Sequence, residues 1–247
     1  MKNGNDSPRP AAALQARWLR PALILLVSSP LLLAWKYYGS QEFYLGRLAP
    51  WLLLGNDPQT AAVLYRFLSC LAVMGVLPAM IVKFVFRQRL ADYGVRFGIP
   101  LRTVRALLLW APVFLLAGYL ASRIPAFQAR YPLNRHAGAS AGAFTLHALG
   151  YFAFYVGWEF YFRGFMLVGL RDSLGVVNAL LVQVLASCLL HIGDPGLEAF
   201  GAILGGLLWG LLAVRTRSLL AGLLQHSLLG ISLDWFLCFV AHCKSPS

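Results

Sequence analysis

Apolar residues in this chain come in long blocks, and the polar residues gather between them. Seven blocks stand out, at 21–38, 62–86, 103–122, 144–171, 176–191, 197–214 and 218–240. Each approaches the roughly 20 residues an α-helix needs to cross about 30 Å of hydrocarbon, although the fifth and sixth are short. A further apolar stretch, EFYLGRLAPWLLLGNDP at 42–58, is interrupted by Arg47 and Pro50. It reads as an interfacial or re-entrant segment that could supply an eighth span. The expected fold class is all-α, a polytopic transmembrane helical bundle of about seven to eight spans.

Composition supports this reading. Of 247 residues, 59% are hydrophobic and only 12% charged, too little polar surface for a soluble domain. The net charge of +12 falls between the blocks, a pattern suited to a lipid bilayer with anionic headgroups and not to nucleic acid. With the N-terminus inside, the inner segments hold more than twice as many Lys and Arg residues as the outer ones. The expected location is thus the cell inner (plasma) membrane, multi-pass, with a cytoplasmic N-terminus. No small-residue cleavage site follows the first block, so it reads as a retained span. Cys70, Cys188, Cys238 and Cys243 have neither metal-finger nor CxxC spacing and read as small apolar residues. In GAILGGLLWG, Gly201 with Gly205 and Gly206 with Gly210 make two GxxxG pairs, which predict a sixth span at the bundle centre.

Three sets of ionisable residues interrupt the apolar blocks. Glu159 and Arg163 lie in the fourth. His191 ends the fifth, with Asp194 and Glu198 close behind, and His226 lies in the seventh, with Asp234 further on. A charge at bilayer depth costs on the order of 3 kcal/mol, which makes each a candidate functional residue. At about 1.5 Å per residue, Glu159, His191 and His226 fall roughly 18, 22 and 12 Å from the inner face, in one mid-membrane layer. A carboxylate and two imidazoles are the composition of a hydrolytic site, with a base for water and donors for an oxyanion. Simpler roles exist for each. Glu159 and Arg163 are four residues apart and can neutralise each other, and a membrane His can serve as an interhelical hydrogen-bonding group. Asp194 and Glu198 flank Pro195–Gly196 and read as solvated loop residues. Asp234, two turns beyond His226, can reach the cavity or the outer interface. His136, His147 and His242 read as peripheral.

From about 85 to 240 the chain resembles the intramembrane glutamic proteases, which include the CAAX prenyl proteases and the bacterial bacteriocin-processing (Abi-type) enzymes. The resemblance runs through LADYGVRFG, EFYFRGF, LLHIGDPGLE, GGLLWGLLAVRTRSLL and LLQHSLLG. The family's Glu-Glu-x-x-x-Arg motif is present with Trp158 in place of the first Glu, followed by Glu159 and Arg163. Its Phe-x-x-x-His motif keeps His191, with Ser187 at the Phe position. Its His-x-x-x-Asn motif keeps His226, with Gly230 at the Asn position. The resemblance implies a tail at 1–20, N-terminal spans at 21–86, a protease-like core at 87–241 and a tail at 242–247.

It also implies an intramembrane endopeptidase that cleaves a membrane-anchored peptide or protein and needs no cofactor. Glu159 activates water in this reading, His191 and His226 hold water and oxyanion, and Arg163 orients Glu159. Trp158 walls the substrate cavity, and Glu198 is the other candidate base. Three alternatives stay open. One is a zinc protease with Glu159, His191 and His226 as ligands, another an inactive member acting as a membrane binding or immunity protein. The third is a small transporter, although no inverted repeat is visible.

Overall fold

The computed structural model describes residues 10–52, 54, 57–96 and 101–240, with side chains from Trp18 onward except that of Arg102. His242, Cys243, the rest of the tail at 242–247 and residues 1–9 lie outside the described residues. Six continuous helices are long and apolar enough to cross a membrane. They include α1 (Pro10–Tyr38), α2 (Pro58–Val85) and α3 (Leu101–Ala121). A short helix, α4 (Pro125–Arg130), follows α3.

The fourth long helix runs over Ala141–Leu189, 49 residues. That is about 74 Å, more than twice the hydrocarbon thickness. It does not run straight. Gly175 has φ 78° and ψ 158°, a conformation open to glycine, and the helix breaks there. The two halves, α5 (141–174) and α6 (176–189), form a hairpin that brings His191 back to Trp158, with ring centroids 5.4 Å apart. With α7 (Gly196–Thr216) and α8 (Leu220–Phe239), the described residues therefore make seven spans.

The described residues of 42–58 supply no eighth span. Gln41–Phe43 and Tyr44–Leu48 form a short helical turn, and Tyr65 of α2 donates to the Tyr38 carbonyl at 2.6 Å, so the chain returns at the face it left. Helix starts are capped by side chains. Asp57 accepts from Thr60 N at 2.8 Å before α2, and Ser140 accepts from Ala143 N at 3.1 Å before α5.

Side-chain contacts fix the two membrane faces relative to each other. Arg20 near the start of α1 pairs with Asp172 beside the Gly175 break, 3.2 Å apart. At the other end of α1, Lys36 donates to the carbonyl of Leu190 at 3.1 Å and caps α6. Helices α1 and α6 thus run side by side in the same direction.

Residues 157–170 of α5 are all buried, so no side of this segment faces lipid. Around it pack Ile24, Met74, Val82, Tyr93, Leu180 and Ala213. The expectation of a central sixth span is corrected. On α7 only the side bearing Gly206, Trp209, Gly210 and Ala213 is buried, while Leu197, Phe200 and Leu204 are exposed. Of the two GxxxG pairs, Gly206 and Gly210 lie against Val184 and Leu180 of α6. A Cβ on Gly201 would meet nothing within 4 Å.

Candidate active site

Helix α5 carries a polar residue at every fourth position: His147, Tyr151, Tyr155, Glu159 and Arg163. That spacing holds them to one side of a helix, here turned toward His226, Gly230 and Asp234 on α8. The depth of this row is set by a tight crossing with α2. A Cβ on Gly157 would lie 2.7 Å from the Cys70 carbonyl oxygen and 2.8 Å from Leu71 Cα, so backbone meets backbone there. Beyond the crossing, α5 widens into a π-helix over Phe160–Val168.

Glu159 and His226 form the centre. Glu159 Oε1 accepts from His226 Nδ1 at 2.8 Å, and Glu159 Oε2 lies 3.4 Å from Arg163 Nε. A carboxylate only accepts, so the shared proton sits on Nδ1 and Nε2 keeps its lone pair. The His226 ring is clamped between Trp209, stacked at 4.0 Å, and Tyr155, at 4.5 Å. Glu159 is 1% exposed and Arg163 2%.

On the face of the bundle marked by Lys36 lies a cavity of about 50 Å³, room for a few waters. Its walls include Arg66, Tyr155, Trp158, His191, Glu198 and His226. His191 Nδ1 donates to the Ser187 carbonyl at 2.9 Å, so this ring, too, keeps an Nε2 lone pair. Burial pushes its pKa below the ordinary value and favours the neutral form. Glu198 stands in the first turn of α7, which corrects its expected place in a solvated loop. Its Oε1 accepts from Tyr131 at 2.7 Å, and its buried Oε2 has no partner among the described residues. Arg130 clasps Asp194 at 2.9 Å and ties the end of α4 across the cavity to the loop after His191.

The structure therefore brings Trp158, His191, Glu198 and His226 to one space. Glu159 stands behind His226, and Arg163 lies behind Glu159. On its far side, Glu159 lines an apolar groove of about 350 Å³ with Val76, Leu90, Val95, Phe160 and Leu220. Gly94 and Arg96 also line the groove, which therefore lies toward the face opposite Lys36.

Asp234 does not reach the cavity. It pairs with His147, Oδ2 to Nε2 at 2.7 Å, both side chains fully buried. This corrects two expectations, since His147 is central and Asp234 is its partner. His136 does sit at the surface, 2.9 Å from Asp57. Among the described residues no three His, Cys, Asp or Glu side chains group to hold a metal, so Glu159, His191 and His226 do not form a zinc ligand set. Sequence reasoning missed Tyr155, Tyr131 and Trp209. The four-residue spacing from His147 to Arg163 was the available signal for Tyr155. Nothing in the pattern marked the other two.

Residues 140–231 match the family model described as type II CAAX prenyl endopeptidase Rce1-like. The match spans little more than a third of the chain and includes Glu159, His191, Glu198 and His226. No curated protein and no solved structure matches the chain. Over residues 140–231, then, this multi-pass membrane protein is similar to the CAAX protease family.

Proposed function

We propose that the protein is an intramembrane endopeptidase that hydrolyses a peptide bond in a membrane-anchored substrate, with Glu198 as the base. The observation that carries this reading is the unpartnered Glu198 Oε2 on a cavity shared with two Nε2 lone pairs. A water there gives one proton to Glu198 while His226 Nε2 accepts a hydrogen bond from its other proton. The oxygen attacks the carbonyl carbon, and a tetrahedral intermediate forms. Glu198 returns its proton to the departing amine as the C–N bond breaks, leaving a carboxylic acid and an amine, between which a proton then passes to give carboxylate and ammonium. Glu159 holds His226 in the required tautomer, the role a buried carboxylate has in a Ser-His-Asp triad. Trp158 fills the place of the family's first Glu and packs edge-on against His191.

The test uses purified protein in liposomes and a fluorogenic prenylated CAAX peptide. Glu198→Gln keeps shape and removes the base, and should lower turnover by about 10² or more. Glu159→Gln still accepts from His226 and should retain more activity than Glu198→Gln. The reverse order places hydrolysis on the groove side of the His226–Glu159 pair, with Glu159 as the base. Wild-type rates in both variants remove both base assignments, and no turnover by the wild type leaves a non-catalytic membrane-binding role.

A further inference from the structure

The cavity holds two bases for water, but its imidazoles supply no donor. Both Nδ1 protons are committed, to Glu159 and to the Ser187 carbonyl. Peptide hydrolysis builds negative charge on the carbonyl oxygen, and that charge needs a positioned donor. Among the other wall residues, Tyr131 donates to Glu198, Arg130 holds Asp194, and Arg66 lies over the Trp35 ring.

Tyr155 supplies what is missing. Its ring leans on His226, and it lines the same cavity. One helical turn after His226 is Gly230, where an added Cβ would lie 1.9 Å from Tyr155 Oη and 2.9 Å from Cζ. The Tyr155 hydroxyl therefore occupies the volume that a side chain at position 230 would fill. It shares a side-chain hydrogen bond with Tyr151, stacked on it at 4.7 Å. A hydroxyl proton rotates about its C–O bond, so the proton Tyr155 gives to Tyr151 can turn to an arriving carbonyl oxygen while Tyr151 donates in return.

Resting on the hydrolytic reading above, we infer that Tyr155 is a catalytic residue whose hydroxyl donates to the substrate's carbonyl oxygen. Gly230 is the space-maker that lets a donor from α5 do what a side chain from α8 would otherwise do. The requirement is mutual. Any side chain at 230 collides with Tyr155, and removing the Tyr155 head reopens the site at 230.

The experiment uses the liposome assay with the same prenylated peptide. Tyr155→Phe keeps ring and stacking and should lower kcat by on the order of 10², with KM within about twofold. Gly230→Asn alone should abolish activity or accumulation through the clash. In a Tyr155→Ala background, Gly230→Asn should raise kcat above that of Tyr155→Ala alone, because the amide supplies a donor from the other helix. A wild-type kcat for Tyr155→Phe while Glu198→Gln is inactive overturns the inference and leaves the hydrolytic reading intact. A slow Tyr155→Phe beside an unimpaired Glu198→Gln upholds the inference and overturns the base assignment. No turnover by the wild type overturns both. A loss in Tyr155→Phe that falls wholly on KM reduces Tyr155 to a packing residue and likewise overturns the inference.

Discussion

The Glu159–Arg163 pair shows how a single residue is tolerated in the bundle interior. Arg163 is among the largest fully buried side chains, and its Nη1 has no partner. Its charge is offset mainly by Glu159. Arg163→Ala leaves a carboxylate buried without its cation, at a cost of about 3–5 kcal/mol. Accumulation of folded protein should fall, and the double change Glu159→Gln with Arg163→Met should restore it. Normal accumulation of Arg163→Ala alone would show that water reaches the pair. His191 gives a pH test. Its folded pKa lies below the unfolded value of about 6.5. As pH falls through 6.5, the unfolded chain takes up a proton that the folded chain does not, so stability declines on the acid side. An NMR titration of the imidazole showing protonation above pH 6.5 would contradict this.

Among elements, the crossing of α2 with α5 has the least slack. Gly157 faces the α2 backbone at Cys70 and Leu71, while Gly201 on α7 faces open space. Gly157→Ala forces two backbones apart, at a cost in the 1–3 kcal/mol range typical of overpacking, roughly. It also moves the segment that carries Trp158 and Glu159. Gly201→Ala should be neutral or slightly stabilising. A thermal-unfolding comparison in detergent checks the contrast, and equal midpoints would mean that the crossing yields. Both glycines sit in apolar runs, and GxxxG spacing pointed to Gly201 and not to Gly157. Spacing on one helix says that a close approach is possible, whereas the neighbour's position decides whether one occurs.

At the scale of the whole molecule, His226 and Glu159 separate a small polar cavity toward the Lys36 face from an apolar groove toward the opposite face. That opposite face is where Arg20, Asp92, Arg96, Arg171, Asp172 and Arg217 gather. By the positive-inside rule it is the cytoplasmic side, which we propose as the orientation of the bundle. In a background with Cys188, Cys238 and Cys243 changed to Ser, Ile192→Cys should react with a membrane-impermeant maleimide added to intact cells. Arg89→Cys should react only after permeabilisation. The opposite result inverts the bundle, and reaction of both from one side breaks the seven-span count.

Block length and polarity were enough to specify helices, seven spans and a membrane, because a bilayer admits few ways of satisfying a backbone. They were also enough to mark Glu159, His191 and His226 as residues that lipid should have excluded. Which face each residue shows was a different matter. Glu198 lay just beyond Pro195–Gly196 and read as solvated until the first turn of α7 and Tyr131 enclosed it. His147 read as peripheral because its partner, Asp234, is 87 residues away. Trp158 and Glu159 are sequence neighbours, yet one faces the cavity and the other stands behind His226. Consecutive residues on a helix are turned by about 100°, and only the packing of α5 against α2, α6 and α8 decided which of the two directions led to water.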